Sequence, residues 1–198
     1  VTGPLVAGIP ESAGISVLAA ARPPLTDEQV IGCSVALDDD AQRMVLPGVV
    51  DPLQARPLAT TWTALLEVAR VLSESGVDVV VDLGRLGHRH EPSPWLAGAD
   101  LLMLVGRGDL ASVLPTAVAV RSLAPQRAGR TASIAVVVDP GAYPSSELAA
   151  ALGVGEVVTV PRDEWASRAV LEGVSGGLRL GRSSLMRTAR ALVDRLAQ

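Results

Sequence analysis

The sequence contains no lysine, because all 17 residues counted as Lys+Arg are arginine, and it contains neither asparagine nor phenylalanine. Without lysine, this chain cannot form a Schiff base or use a lysine as a general base. It also cannot supply the phosphate-binding lysine of a P-loop. The absence of lysine therefore excludes lysine-dependent chemistry for the chain as given.

Cysteine and aromatic residues are scarce. Cys33 is the single cysteine, which excludes an internal disulfide and a cysteine-cluster metal site and favours a reducing, cytoplasmic location. A formal net charge of −4, with one Tyr and three Trp, disfavours direct nucleic-acid binding. No apolar run reaches the ~18–20 residues of a membrane span, so we expect none.

Apolar residues, by contrast, are plentiful: hydrophobic residues make up 48% of the 198, and the mean hydropathy is +0.37. This length and composition predict one domain over residues 1–198 with a buried core. Residues 43–198 show regular hydrophobic patterns and form its predicted core. Residues 1–42 are less periodic, with one helix predicted near residues 14–21.

Continuous β-branched and apolar runs predict buried strands of a parallel sheet. The clearest are Val77–Asp82, Leu101–Val105 and Ile134–Val138, and weaker ones are Arg43–Leu46 and Val157–Val160. Apolar residues at spacings of three and four predict helices between and after them. These helices are 60–73, 110–123, 145–152, 165–171 and 183–196. The alternation predicts an α/β fold with a doubly wound, mostly parallel sheet.

Ligands of such sheets lie beyond the carboxyl ends of the strands, where Asp82, Gly84, Asp139 and Pro161 are found. An acid after the apolar residues 79–81 is typical of the Walker B arrangement, in which a carboxylate holds a water or Mg²⁺ beside a phosphate. The alternative is that Asp82 only caps the following turn.

Two further segments are candidates for chemistry. His88 and His90 form an H-x-H pair, which could bind a metal ion. Zinc sites need three or four ligands, and no third ligand is evident nearby. The alternative to a metal site is an exposed loop. The glycine-rich stretch 173–182 follows a predicted helix rather than a strand, which favours a flexible connection over a phosphate loop. Its Arg179 and Arg182 are candidates for facing a partner or an anion.

From about residue 43 to residue 198, the order of these elements resembles the later part of the MinD/ParA family of deviant P-loop ATPases. The resemblance is carried by a strand ending at Pro47, by the Walker B-like segment 79–84, by the strand 136–138, and by the Val160-Pro161-Arg162-Asp163 step. A helix, a glycine-rich link and an amphipathic terminal helix follow in the same order. The family positions septa, chromosomes, pili and flagella.

The resemblance implies ATP and Mg²⁺ as cofactors and a protein partner or a homodimer. It makes Asp82 the Walker B carboxylate, which would hold Mg²⁺ through water when nucleotide is bound, and Gly84 part of the switch loop. Asp139 falls where many members have an Asn that contacts the adenine edge. Pro161 and Asp163 match the loop whose backbone lies against the base.

The family's glycine-rich loop with two lysines, and the strand before it, are missing from this sequence. Two explanations remain: a carboxy-terminal part of a longer ATPase, or a degenerate member that keeps the scaffold for interactions. We therefore expect a MinD/ParA-like domain of cellular positioning or partitioning that does not hydrolyse ATP by itself. The alternatives are a non-catalytic interaction scaffold and, more remotely, a metal-dependent hydrolase using His88 and His90.

Overall fold

The computed structural model describes residues 10–196 except 11, 22, 50–56, 88–90, 128–132, 142 and 174–176. The chain divides into two compact units, one ending at Gly98 and the other beginning at Ala99. We call them the amino-terminal and the carboxy-terminal unit.

The amino-terminal unit is mainly helical, with one short antiparallel hairpin. Its elements are α1 (Ile15–Ala20), α2 (Asp27–Gly32), β1 (Val35–Ala36), β2 (Met44–Val45), α3 (Ala59–Glu74) and α4 (Ser93–Gly98). A capping box begins α2: the Gln29 amide donates to the Thr26 hydroxyl at 3.2 Å, and the Thr26 amide donates to the Gln29 side chain at 3.0 Å. A strand does form within the predicted range 43–46, but β2 has only two residues and pairs antiparallel with β1 in a separate sheet. The prediction that it belongs to the parallel sheet is therefore wrong.

The core of this unit is formed around α3. Leu65, Leu66 and Val68 of α3 are buried in one cluster with Leu18 and Leu58. The helix was predicted over residues 60–73 and extends one residue further at each end. Its apolar spacing places these side chains on one face, which is why sequence periodicity located it well.

The predicted buried strand over Val77–Asp82 is wrong. Residues 77–82 form neither a strand nor a helix, and Val80 is 87% exposed. Val77, Val79 and Val81 are exposed as well. A β-branched run becomes a strand only when a neighbouring strand takes up its backbone hydrogen bonds, and within the described residues no strand pairs with it.

The carboxy-terminal unit alternates strands and helices. Its elements are β3 (Leu102–Arg107), α5 (Leu110–Leu123), β4 (Ser133–Val138), α6 (Ser145–Leu152), β5 (Glu156–Val160), α7 (Glu164–Leu171), α8 (Gly177–Gly181) and α9 (Ser184–Leu196). The three strands form a parallel sheet in the order β3-β4-β5. The α/β class and the predicted strands near 101–105, 134–138 and 157–160 are thereby confirmed. The predicted burial of 101–105 holds only for alternate residues, because Met103 is 41% exposed and Val105 is 72% exposed.

Helices flank this sheet. One core cluster joins Val113 and Ala117 of α5 with Val137 of β4 and with Leu148 and Leu152 of α6. Helix α9 packs beside β5, where Arg195 makes an ion pair with Glu156. The central strand β4 is buried over residues 134–137, which explains its unbroken apolar sequence.

The predicted helices of this unit agree closely with the structure, and α5 and α6 have the predicted bounds. The glycine-rich stretch differs from expectation, because residues 177–181 form the short helix α8 rather than a flexible connection. Among the described residues, no helix combines the length and apolar character that crossing a membrane requires.

Candidate functional site

The carboxyl ends of the three parallel strands lie side by side. Arg107 of β3 is in register with Val138 of β4, and Val138 is in register with Val160 of β5. The residues that follow therefore share one edge of the sheet. Asp139 and Pro161, two of the residues singled out from the sequence, come together here.

Backbone hydrogen bonds connect the neighbouring strands and loops at this edge. The Asp139 amide donates to the Val160 carbonyl at 2.9 Å, and the Gly108 amide donates to the Val138 carbonyl at 3.3 Å. Asp139 has a φ of 55°, a left-handed conformation that Asp tolerates better than most residues. These two N–H groups are therefore used within the sheet and do not point at a ligand.

Gly108 was not singled out from the sequence, although the structure requires a glycine there. A Cβ atom at this position would lie 2.5 Å from the Pro140 Cα and 2.8 Å from the Pro140 carbonyl oxygen. The loop after β3 thus passes directly against the loop after β4. The neighbouring Asp109 caps α5 by accepting a hydrogen bond from the Ser112 amide at 3.0 Å.

Asp163 has a structural role in this unit. One carboxylate oxygen accepts from the Ala166 amide at 3.0 Å and so caps α7. The other accepts from the Ser184 amide at 3.1 Å and the Ser184 hydroxyl at 2.8 Å, at the start of α9. These hydrogen bonds, the one from Ala166 first, lower the pKa of Asp163 below its usual value. The charged carboxylate joins the beginnings of two helices.

Asp82 and Gly84 belong to the amino-terminal unit and do not follow a strand. The Gly84 amide donates to the Asp82 carboxylate at 2.8 Å, and Gly84 has a φ of 69°. This is the geometry of an aspartate that stabilises a local turn, as in the alternative interpretation of Asp82. No ligand role is needed to explain this contact.

A groove in the carboxy-terminal unit contains the two arginines noted in the glycine-rich stretch. It has a volume of about 630 Å³ and is lined by Asp163, Trp165, Leu178, Arg179, Arg182 and Ser183. The Arg179 guanidinium lies 4.0 Å from the centre of the Trp165 ring, a distance typical of a cation–π contact. These two partners are fourteen positions apart in the sequence, so no local motif indicates the pair.

The proposed histidine site cannot be placed, because His88 and His90 lie outside the described residues. Over the part of the chain that is described, no group of three or more His, Cys, Asp or Glu side chains is arranged to hold a metal ion. The hydrolase alternative stays a prediction.

Comparisons with protein-family models, curated proteins and solved structures gave no match.

Proposed function

We propose that this chain is a MinD/ParA-like α/β domain of the group that positions or partitions cellular structures, and that it works through protein contacts without hydrolysing ATP. The support for the family is the order of β3, β4 and β5 with their helices, which brings Asp139 and Pro161 to one edge. The Walker B-like segment 79–84 forms no strand and does not contribute to this support. The doubly wound, P-loop-type sheet without its phosphate-binding strand is part of this proposal.

The backbone at the sheet edge carries the non-catalytic part of the proposal. A triphosphate is held by backbone N–H groups aimed at its oxygens, with a lysine and Mg²⁺ to balance its charge. Here the Gly108 and Asp139 amides donate to strand carbonyls, and the chain contains no lysine. These residues do not form a phosphate cradle.

The residues present do not fit Mg-ATP at Asp82 either. Its carboxylate accepts a hydrogen bond within its own turn, from the Gly84 amide. A carboxylate that holds Mg²⁺ through water contributes only when the triphosphate is already bound. These residues therefore favour an interaction role over ATP hydrolysis.

Calorimetric titration with ATP, with and without Mg²⁺, tests this proposal. We expect no Mg-dependent affinity in the micromolar range, and we expect the same result for Asp82→Ala and for the control Asp78→Ala in the same exposed segment. Micromolar, Mg-dependent binding that Asp82→Ala abolishes and Asp78→Ala retains would contradict it.

In the host cell, a fluorescent fusion should concentrate at discrete positions, and a uniform distribution would argue against a positioning role.

A further inference from the structure

Charge is divided unevenly along this chain. Residues 162–198 contain seven arginines and four acidic residues, which give a formal charge of +3. Residues 1–161 have a formal charge of −7, so the net charge of the chain is −4. Between Glu172 and Asp194 there are four arginines and no acidic residue. The positive charge is thus concentrated on α8, on α9 and on the turn between them.

Two of these arginines line the groove beside Trp165 without a carboxylate partner. Arg179 and Arg182 are both exposed, and neither forms an ion pair with a described residue. Arg179 instead lies over the Trp165 ring. This stacking orients the guanidinium and leaves its N–H groups available to an incoming anion.

The other two arginines fix the backbone of the groove. Arg187 donates to the Arg182 carbonyl at 2.6 Å, and Arg190 donates to the Gly181 carbonyl at 2.7 Å. Both bonds tie the end of α8 to α9. The backbone that carries Arg182 is therefore held before anything binds, and the Arg179 side chain is held by Trp165, which lowers the entropic cost of binding.

Asp163 is the one carboxylate among the described lining residues, and its charge is largely satisfied. Both oxygens accept hydrogen bonds from the beginnings of α7 and α9, where the helix dipoles favour negative charge. The guanidinium groups of the two lining arginines therefore outweigh it. The groove is suited to an anionic group.

An apolar surface adjoins this charge. Leu178 is 78% exposed and Trp165 is 39% exposed, and both line the groove. Exposed apolar side chains beside unpaired arginines fit a ligand that carries both carboxylates and apolar side chains. An open groove of this kind suits a polypeptide segment better than an enclosed small molecule.

We propose that this groove binds an extended, acidic segment of a protein partner, a proposal that rests on the interaction role proposed above. Arg179 and Arg182 are three residues apart, a spacing at which side chains of a helical turn are neighbours, with Cβ atoms about 5–6 Å apart. In an extended peptide, residues i and i+2 lie on one side about 7 Å apart. A Glu-x-Glu segment therefore matches the arginines, and an adjoining apolar side chain contacts Trp165 and Leu178.

Fluorescence anisotropy with the full chain tests the proposal. The probes are labelled 12-residue peptides with Leu-Glu-x-Glu cores of varied x, and each is paired with a counterpart carrying Gln in place of Glu. We expect the Glu peptides to bind more tightly than their counterparts, and increasing salt to weaken this binding. The double variant Arg179→Gln with Arg182→Gln should lower the affinity at least about tenfold.

The control is the double variant Arg121→Gln with Arg168→Gln, which removes the same charge from exposed arginines outside the groove. It should bind like the unmodified chain, and thermal unfolding establishes that both double variants are folded. Equal binding of Glu and Gln peptides, or equal losses in the two double variants, would overturn the proposal. Displacement of the peptide by submillimolar inorganic phosphate, or by anionic lipid vesicles, would also overturn it in favour of those ligands.

The two proposals fail in different ways. Tight, Mg-dependent ATP binding with intact arginine-dependent peptide binding would remove the non-catalytic function and leave the groove assignment. Absence of peptide binding without any nucleotide binding would remove the groove assignment alone.

Discussion

Asp163 shows how one side chain can connect two helices. It accepts hydrogen bonds from the Ala166 amide in α7 and from the Ser184 amide and hydroxyl in α9. Substitution by Asn keeps the size and one oxygen but replaces the other with an NH₂ group, which is a donor only.

We expect Asp163→Asn to lower the melting temperature at neutral pH by ~2–8 °C, as the loss of a helix cap does. The hydrogen bonds lower the pKa of Asp163 below the value of 3.8 expected for the unfolded chain. Its contribution to stability is therefore complete well above pH 3.8 and is lost as the pH falls through the lowered pKa. The melting-temperature difference between the two proteins should be constant at higher pH and shrink below pH 3.8.

Thermal unfolding followed by circular dichroism from pH 7 down to pH 3 measures this difference. Asp100→Asn is the control, because Asp100 is exposed and caps neither helix. A difference that persists unchanged at the acid end would show that the charge of Asp163 is not involved.

At the scale of elements, β4 and the segment 77–81 have nearly the same composition but opposite environments. Val137 of β4 is 2% exposed, whereas Val80 is 87% exposed. β4 has a parallel neighbour on each side, while the described residues provide no neighbour for 77–81. Composition sets the tendency to form a strand, and pairing with distant parts of the chain decides whether a strand forms.

The substitutions Val80→Thr and Val137→Thr test this difference, because each exchanges a methyl group for a hydroxyl of similar size. At Val80, exposure lets water hydrate the hydroxyl, so the free energy of unfolding should change by less than about 0.5 kcal/mol. At Val137, the buried hydroxyl should cost about 1–3 kcal/mol. Urea unfolding measures both changes, and a large loss at Val80 would show that residues 77–81 are buried.

Elements with local signals were predictable from the sequence. The bounds of α5 and α6 follow from apolar spacing, from the Asp109 cap of α5 and from Gly153 at the end of α6. The Thr26 and Gln29 capping box before α2 is a local signal of the same kind. The groove was not predictable in this way, because the Arg179 and Trp165 contact depends on how α7 and α8 pack.

At the scale of the whole molecule, each unit has a core of its own. The buried cluster around Leu58 and Leu65 lies before Gly98, and the cluster around Val137 and Leu152 lies after it. A segment with its own core and its own complete hydrogen-bonded sheet can fold alone. The sequence-based expectation of one domain over residues 1–198 stays a prediction.

We expect residues 99–198, expressed alone, to form a folded α/β unit with a cooperative thermal transition, since the sheet β3-β4-β5 and its helices α5 and α6 all lie within them. Far-ultraviolet circular dichroism and calorimetry measure this. Leu152 is 2% exposed, so Leu152→Ala in the same fragment should cost about 2–5 kcal/mol and lower the transition. The exposed Leu114, at 63%, provides the matched control, because Leu114→Ala should change little. A fragment that lacks a cooperative transition, or one equally sensitive to both substitutions, would show that this core does not form independently.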